Sequence, residues 1–181
     1  MLQKKPPVVY LHRNPVLLAA LSGCRTLLRE SADSPTRCRE LVGGWPDYIG
    51  VCNASSHGVG GVVFGEKDEC IPTVFWWEWP EDIKSSYKKK VITNSDLKMA
   101  GLLYLWLVME EVCGDLREKR VALFSDNSPT MGWVRCLATR GSLVSAHLIR
   151  ALALRLKLNG TCPLTPLHIA GEENLMTDIP S

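Results

Sequence analysis

Three short runs of β-branched, aromatic and small residues constrain the fold of this chain more than any other feature of its sequence. The runs cover residues 48–52, 60–64 and 73–77, and turn-forming residues fill positions 55–58 between the first two. Short runs of this kind, bounded by Ser, Asn and Gly, are typical of strands joined in hairpins. The sequence therefore predicts a meander of three strands.

Helices and strands alternate in the remainder of the chain. Apolar residues at helical spacing favour helices, and the continuous apolar run at residues 121–125 favours a buried strand. The order βββ-αβ-αα-β-α predicts an α/β fold, with a mixed five-stranded sheet and helices on both of its faces. The elements after the meander are a helix capped by Thr93, Asn94 or Ser95 and ending near Cys113, a strand over 121–125, a short helix from near Pro129, a helix over 143–158, a strand over 164–169 and a final helix from near Asn174.

The N-terminal part of the chain is predicted to be separate from this sheet. Apolar residues recur at helical spacing after Pro15, and Asn14 before it is a typical helix cap. The Gly-Gly-Trp-Pro stretch at residues 43–46 marks a boundary. We therefore expect an N-terminal helix and linker over residues 1–46 and a main domain over residues 47–181.

Composition narrows the class of protein. An apolar share of 46% and a charged share of 22% suit a globular domain. The seven cysteines are scattered and include no C-x-x-C pair, which argues against a disulfide framework or a zinc site and favours a reducing, intracellular compartment. No charged-then-apolar leader opens the chain, and its longest apolar stretch, residues 102–109, is far short of a membrane span. We expect neither secretion nor a membrane partner.

Two surface features leave more than one interpretation open. The basic residues are grouped at 88–90 and 117–120, although the net charge is only +2. Such groups are ordinary solvated faces or contacts to a polyanion. Three tryptophans, Trp76, Trp77 and Trp79, lie close together on a predicted strand, where core or sheet-face packing is the default and stacking on a nucleic-acid strand is the alternative.

Four motifs in the main domain each carry a polar residue at a strand end or in the first turns of a helix. In this order they resemble the ribonuclease H superfamily, specifically the domain that follows reverse transcriptase in retrotransposon polyproteins. The family has Asp, Glu, Asp and Asp at the four positions, and this sequence has Asn53, Lys98, Asp126 and Asp178. The motifs lie at residues 53–61, 93–101, 124–128 and 171–178.

The resemblance implies a ribonuclease-H-like fold and cleavage of an RNA·DNA hybrid with two Mg²⁺ or Mn²⁺ ions about 4 Å apart. Such hard cations need several oxygen ligands, of which Asp126 and Asp178 are the two carboxylates left here. Asn for Asp changes the site charge by one unit and Lys for Glu by two. A unit charge pair at 4 Å is worth about 4 kcal/mol at an effective dielectric constant of about 20. We therefore expect metal binding to be weak or lost and the catalytic set to be degenerate.

Each of the four residues also has an ordinary structural interpretation. Asp126 could cap the following helix, Asp178 could be a first-turn carboxylate, and Asn53 and Lys98 could be a turn residue and a surface helix residue. Two functional alternatives also stay open. One is an active nuclease that uses Asp126, Asp178 and non-standard ligands, and the other is a binding domain in which Lys98 supplies fixed positive charge.

Five neighbouring polar residues are candidates to replace the lost carboxylates or to assist them. Asp96 is two positions from Lys98, hence about 200° around the helix, and is expected to face away. His168 is expected at the edge of the sheet or in the core, and His57 is expected in a turn. Glu172 and Glu173 lie on a loop and remain possible ligands.

The resemblance also sets expectations about context. An RNA·DNA hybrid or another nucleic acid is the expected partner, and a reverse transcriptase domain is expected to precede this segment. Relatives continue beyond the position of Ser181, so we expect the domain to be truncated at its C-terminus.

Overall fold

The chain divides into two compact units, Met1–Thr36 and Arg37–Ser181. The computed structural model describes residues 15–33, 42–65, 72–139 and 142–174. The described part of the first unit is helix α1, Pro15–Asp33, which begins at the predicted proline. The predicted cap Asn14 lies outside the described residues. No helix in the described part of the chain is long and apolar enough to cross a membrane.

The second unit contains a mixed five-stranded sheet, which confirms the predicted fold class. The strands lie in the order β3-β2-β1-β4-β5. The β1–β2 and β2–β3 pairs are antiparallel, as expected for a meander, whereas the β1–β4 and β4–β5 pairs are parallel. The strands are β1 Tyr48–Ala54, β2 Gly58–Phe64, β3 Thr73–Glu78, β4 Val121–Ser125 and β5 Thr165–His168.

The central position of β1 determines where polar residues can meet. In the parallel β1–β4 pair, Val51 lies opposite Phe124, so the two strands end at the same edge of the sheet. Carboxyl ends of neighbouring parallel strands form the usual site edge in α/β sheets. Asn53 near the end of β1 and Asp126 directly after β4 are therefore brought to one edge, although 73 positions separate them in the sequence.

Four α-helices and one 3-10 helix belong to the described part of the second unit. The longest, α3, packs across the sheet, and its side chains Leu102, Leu105 and Trp106 are fully buried in the main core. Glycine allows the close approach, because a Cβ on Gly101 would lie 3.1 Å from Ala54 Cβ. The helices are α2 Glu81–Lys88, α3 Asn94–Val112, α4 Ser128–Cys136, α5 Leu143–Asn159 and the 3-10 helix Gly171–Glu173.

One helix was missed and one lies outside the described residues. Helix α2 contributes a second helix between β3 and β4, so the predicted order βββ-αβ-αα-β-α lacks one element. It is only eight residues long, and Ile83 and Tyr87 are its only apolar residues, which is too few to show a helical period in the sequence. The predicted final helix begins where the described residues end, at Asn174.

Candidate functional site

The Lys98 ammonium group lies at the centre of the predicted site. Its Nζ donates hydrogen bonds to Asp126 Oδ1 at 2.7 Å and Oδ2 at 2.9 Å, and a further one to Asn53 Oδ1. The side chains of Lys98 and Asp126 are 9% and 24% exposed. The interaction is therefore a largely buried, bidentate ion pair extended by an amide.

Local sequence explains why these side chains point together. Thr93 caps α3 in a capping box with Asp96, which fixes the start of the helix and places Lys98 in its second turn. Asn127 accepts a hydrogen bond from the Thr130 backbone N–H and caps α4, which fixes the chain directly after Asp126. The site is thus held by two helix starts and one strand end.

Asp96 faces away from this site, as its helical position predicted. Its carboxylate accepts hydrogen bonds from Thr93 N at 2.8 Å, from Ser145 Oγ at 2.5 Å and from Ser142 Oγ. Burial by itself raises the pKa of Asp96, but the bonds from Ser142, Ser145 and Thr93 outweigh it, so the pKa lies below its ordinary value. Asp96 therefore ties the start of α3 to the start of α5 and does not replace a lost site carboxylate.

The two histidines take the positions expected of surface residues. His168 is exposed on the edge strand β5, so of its two predicted locations the edge is correct and the core is wrong. Its Nε2 lies 3.1 Å from the Asp126 carbonyl oxygen, a proximity that the sequence did not predict and that arises because Ser125 pairs with His168 in the sheet. His57 is exposed in the turn after Asn53, with Nδ1 at 3.2 Å from Ser56 Oγ.

The described geometry does not test the remaining acidic candidates as metal ligands. Glu172 is exposed in the 3-10 helix. The side chain of Glu173 and all of Asp178 lie outside the described residues. The fourth predicted position therefore stays a prediction.

The three tryptophans differ from one another. Trp79 is buried, and its Nε1 donates to the Ser55 carbonyl oxygen at 2.9 Å, which anchors the turn after Asn53. Trp76 and Trp77 are 58% and 49% exposed, so neither lies in the core, but Trp77 packs on the sheet face against Tyr104 of α3, with ring centroids 5.9 Å apart. They lie on β3, an edge strand of the sheet, where fewer neighbours cover the side chains. Stacking on nucleic acid stays a prediction for these two.

A cysteine lies close to the site but does not add a ligand. Burial raises the pKa of the Cys52 thiol to about 12, although the nearby Lys98 charge opposes that shift. The thiol is therefore neutral at physiological pH, and thiolate is the form that binds metal.

The described residues do not fit a pair of divalent metal ions. Asn53, Lys98 and Asp126 supply one amide oxygen and one carboxylate, and both bind the ammonium group instead. In the described part of the chain, no group of three or more His, Cys, Asp and Glu side chains is arranged to hold a metal ion. Mg²⁺ and Mn²⁺ prefer several oxygen ligands, and a cation in their midst opposes binding.

Known proteins resemble this chain in fold rather than in sequence. No protein-family model matches the sequence, and neither does any curated protein. LC11-RNase H1, isolated from compost by a metagenomic approach, superimposes with a TM-score of 0.54 at 13% identity, covering 75% of this chain and 92% of that one. RNase H1 from the halophilic archaeon Halobacterium salinarum NRC-1 gives 0.48 at 12% identity, covering 76% and 94%. At such identities a likeness concerns the fold alone, and the likeness to LC11-RNase H1, together with the sheet order described above, shows that this chain has a ribonuclease-H-like fold.

Proposed function

We propose that this chain is a catalytically degenerate ribonuclease-H-like domain that binds nucleic acid without cleaving it. The position of Lys98 Nζ is the main observation behind the proposal. This atom donates hydrogen bonds to both carboxylate oxygens of Asp126 and to the amide oxygen of Asn53. An ammonium group in that position replaces the charge that divalent metals supply in the family that the sequence resembles.

The charge of the site explains why nucleic-acid binding would be retained when cleavage activity is lost. With Asp, Glu and Asp at the three described positions the site would carry three negative charges, whereas Asn53, Lys98 and Asp126 sum to zero. A site with three carboxylates repels a phosphate backbone unless metals neutralise it. The three described positions of this chain already sum to zero, so nucleic acid is expected to bind without added metal.

Descent from a retroelement polyprotein is part of the proposal. Asn for Asp and Lys for Glu can each arise from a single G-to-A change in a codon, which suits mutational decay of an unselected copy. The partner proposed from the resemblance is an RNA·DNA hybrid, and a reverse transcriptase domain is proposed to precede the segment. The scattered cysteines suit a reducing compartment, so we infer an intracellular location.

Hydrolysis and binding of a labelled RNA·DNA hybrid test the proposal together. We expect no cleavage with Mg²⁺ or Mn²⁺, and salt-dependent binding by fluorescence anisotropy in the presence of EDTA. Metal-dependent cleavage that disappears in Asp126→Asn would instead support the active nuclease with non-standard ligands.

A double reversion tests the cause of the lost activity. Asn53→Asp with Lys98→Glu removes the ammonium group and restores two carboxylates, so calorimetry should detect Mg²⁺ binding that the wild type lacks. Lys89→Glu with Ser56→Asp, which makes the same charge change outside the site, is the control and should bind no more Mg²⁺ than the wild type. If the double revertant binds no divalent metal, the residues Asn53 and Lys98 are not the reason that the site lacks metal binding.

A further inference from the structure

A second concave site lies beside the turn that follows Asn53. It is a cavity of about 580 Å³, separate from the Lys98 ion pair. We call it the lysine cavity, because its walls include His57, Lys84, Tyr87, Lys88, Lys90 and Ile92. Ser56 and Thr93, the cap of α3, complete the walls, so the cavity adjoins the Lys98 site but does not share its ion pair.

The cavity carries uncompensated positive charge. Lys84 and Lys88 are four residues apart on α2 and so share one face of that helix. Lys84 is paired with Glu78, whereas Lys88 and Lys90 are exposed and form no ion pair within the described residues. Three lysines against one glutamate leave two positive charges at the rim, which suits an anionic ligand.

Lys90 occupies a backbone position that favours glycine. Its φ is 58°, in the left-handed region, and it ends α2 in a Schellman motif. The Val91 N–H donates to the Ser86 carbonyl oxygen at 3.0 Å, and the Lys90 N–H donates to the Tyr87 carbonyl oxygen at 2.9 Å. Glycine would satisfy this motif without the steric penalty of a Cβ. Lys90, like Glu118 and Leu137, thus retains a side chain at a position where glycine would be less strained.

Two apolar wall residues of the cavity belong to the edge of the core. Tyr87 and Ile92 pack against the smaller core cluster, which contains Leu97 and Trp79. An aromatic ring in the same cavity as several ammonium groups matches a nucleotide unit, whose phosphate needs cations and whose base stacks on aromatic rings.

We propose that the lysine cavity binds a backbone phosphate of the nucleic-acid strand that the domain holds, with Lys88 and Lys90 as the phosphate contacts. The proposal rests on the proposed function and extends it to a second contact. The cavity and the Lys98 site share a turn and a helix, since His57 follows Asn53 by four residues and Ile92 precedes the capping residue of α3. This arrangement lets one strand contact both places.

Lys90→Gly separates a binding role from a folding role. Removing the Cβ relieves the left-handed strain, so the variant should melt at a higher temperature than the wild type. Its hybrid affinity should nevertheless fall, by about eightfold at 0.1 M salt if one phosphate contact is lost, and the slope of log K against log salt should decrease by about 0.9. A purely structural role for Lys90 would not weaken binding in a stabilised variant.

Lys89→Gln is the matched control, because Lys89 is exposed, adjacent and outside the cavity. It changes net charge by the same amount and should leave the affinity within about twofold and the salt slope nearly unchanged. Lys90→Gln, which retains the strain, should lose as much affinity as Lys90→Gly. Equal losses of hybrid affinity in the Lys89 and Lys90 variants would indicate an ordinary solvated charged face and would refute the proposed phosphate site in the cavity.

Tripolyphosphate distinguishes failure of the cavity from failure of the proposed function. Saturable NMR shifts at residues 87–91, absent in Lys90→Gly, are expected for the cavity whether or not the wild type binds a hybrid. No shift in the wild type would refute the cavity. Tripolyphosphate binding that depends on Lys90, combined with hybrid binding that does not, would refute the assignment to nucleic acid.

Discussion

Replacement of Lys98 by Met should destabilise the domain by more than the loss of an ordinary surface charge. Met retains most of the aliphatic side chain, so the change removes the ammonium group and little packing. The Lys98 Nζ to Asp126 Oδ1 distance is 2.7 Å and the two side chains are 9% and 24% exposed. At an effective dielectric constant of about 20, a unit pair at that distance attracts with roughly 6 kcal/mol before desolvation is subtracted.

The measured loss should be smaller than this attraction. Breaking a fully buried pair costs roughly 3–5 kcal/mol, because the remaining charge is left without a partner. Asp126 retains some contact with water, so we expect about 2–4 kcal/mol for Lys98→Met. Adding Asp126→Asn removes the isolated charge, and the double variant should be more stable than the sum of the two single losses predicts.

Urea denaturation followed by circular dichroism measures these free energies of unfolding, with the slope on urea checked for constancy. Arg117→Gln is the control, since the Arg117–Asp115 pair is exposed on both sides and should contribute little. A loss below about 1 kcal/mol for Lys98→Met, with additive single and double variants, would refute the view that this pair is a buried stabilising interaction.

Two further predictions concern the scaffold around the site. Asp96→Asn should cost about 1–3 kcal/mol at pH 7, because buried hydroxyl and N–H donors lose a charged acceptor. The pKa of Asp96 is lowered in the fold, so its contribution is present at neutral pH and lost as the pH falls below about 3.9. The gap between Asp96→Asn and wild type in urea melts should therefore narrow towards pH 3, and a constant gap would contradict the assignment. Gly61→Ala should be destabilising by about 1–3 kcal/mol, since its Cβ would lie 2.6 Å from the Val51 carbonyl oxygen and 2.5 Å from the Phe75 ring. Gly132→Ala on α4, with nothing within 4 Å of the added Cβ, should stabilise the domain in the same urea melts, and equal effects of the two substitutions would count against the packing argument.

Local signals in the sequence were sufficient for most elements. The apolar run at residues 121–125 gave the bounds of β4, because five consecutive strand-forming residues are followed by the Asn127 cap. Thr93 was among the three predicted caps of α3, since Thr followed by Asp three residues later forms a capping box. Helix α2 was missed because it has only eight residues, and its two apolar residues, Ile83 and Tyr87, are too few to show a helical period.

The residue types at the site were determined by the sequence alone. Asn53, Lys98 and Asp126 differ in charge from the set of the family that the sequence resembles, and this difference needs no coordinates. That Asp96 faces away from the Lys98 site also followed from helical geometry, because two positions correspond to about 200°. These conclusions need only the residue types and the periodicity of a single helix, both of which can be read along the sequence.

Only the tertiary structure decided which of these groups touch. Parallel pairing of β1 with β4 brings Asn53 and Asp126 to one edge, and α3 then places Lys98 Nζ between their oxygens. The sequence could not locate the lysine cavity either, because it depends on an unpredicted helix and on a left-handed residue at its end. Both arrangements join segments that are distant along the chain, and such contacts form only when burial of the shared core offsets the conformational entropy of bringing those segments together.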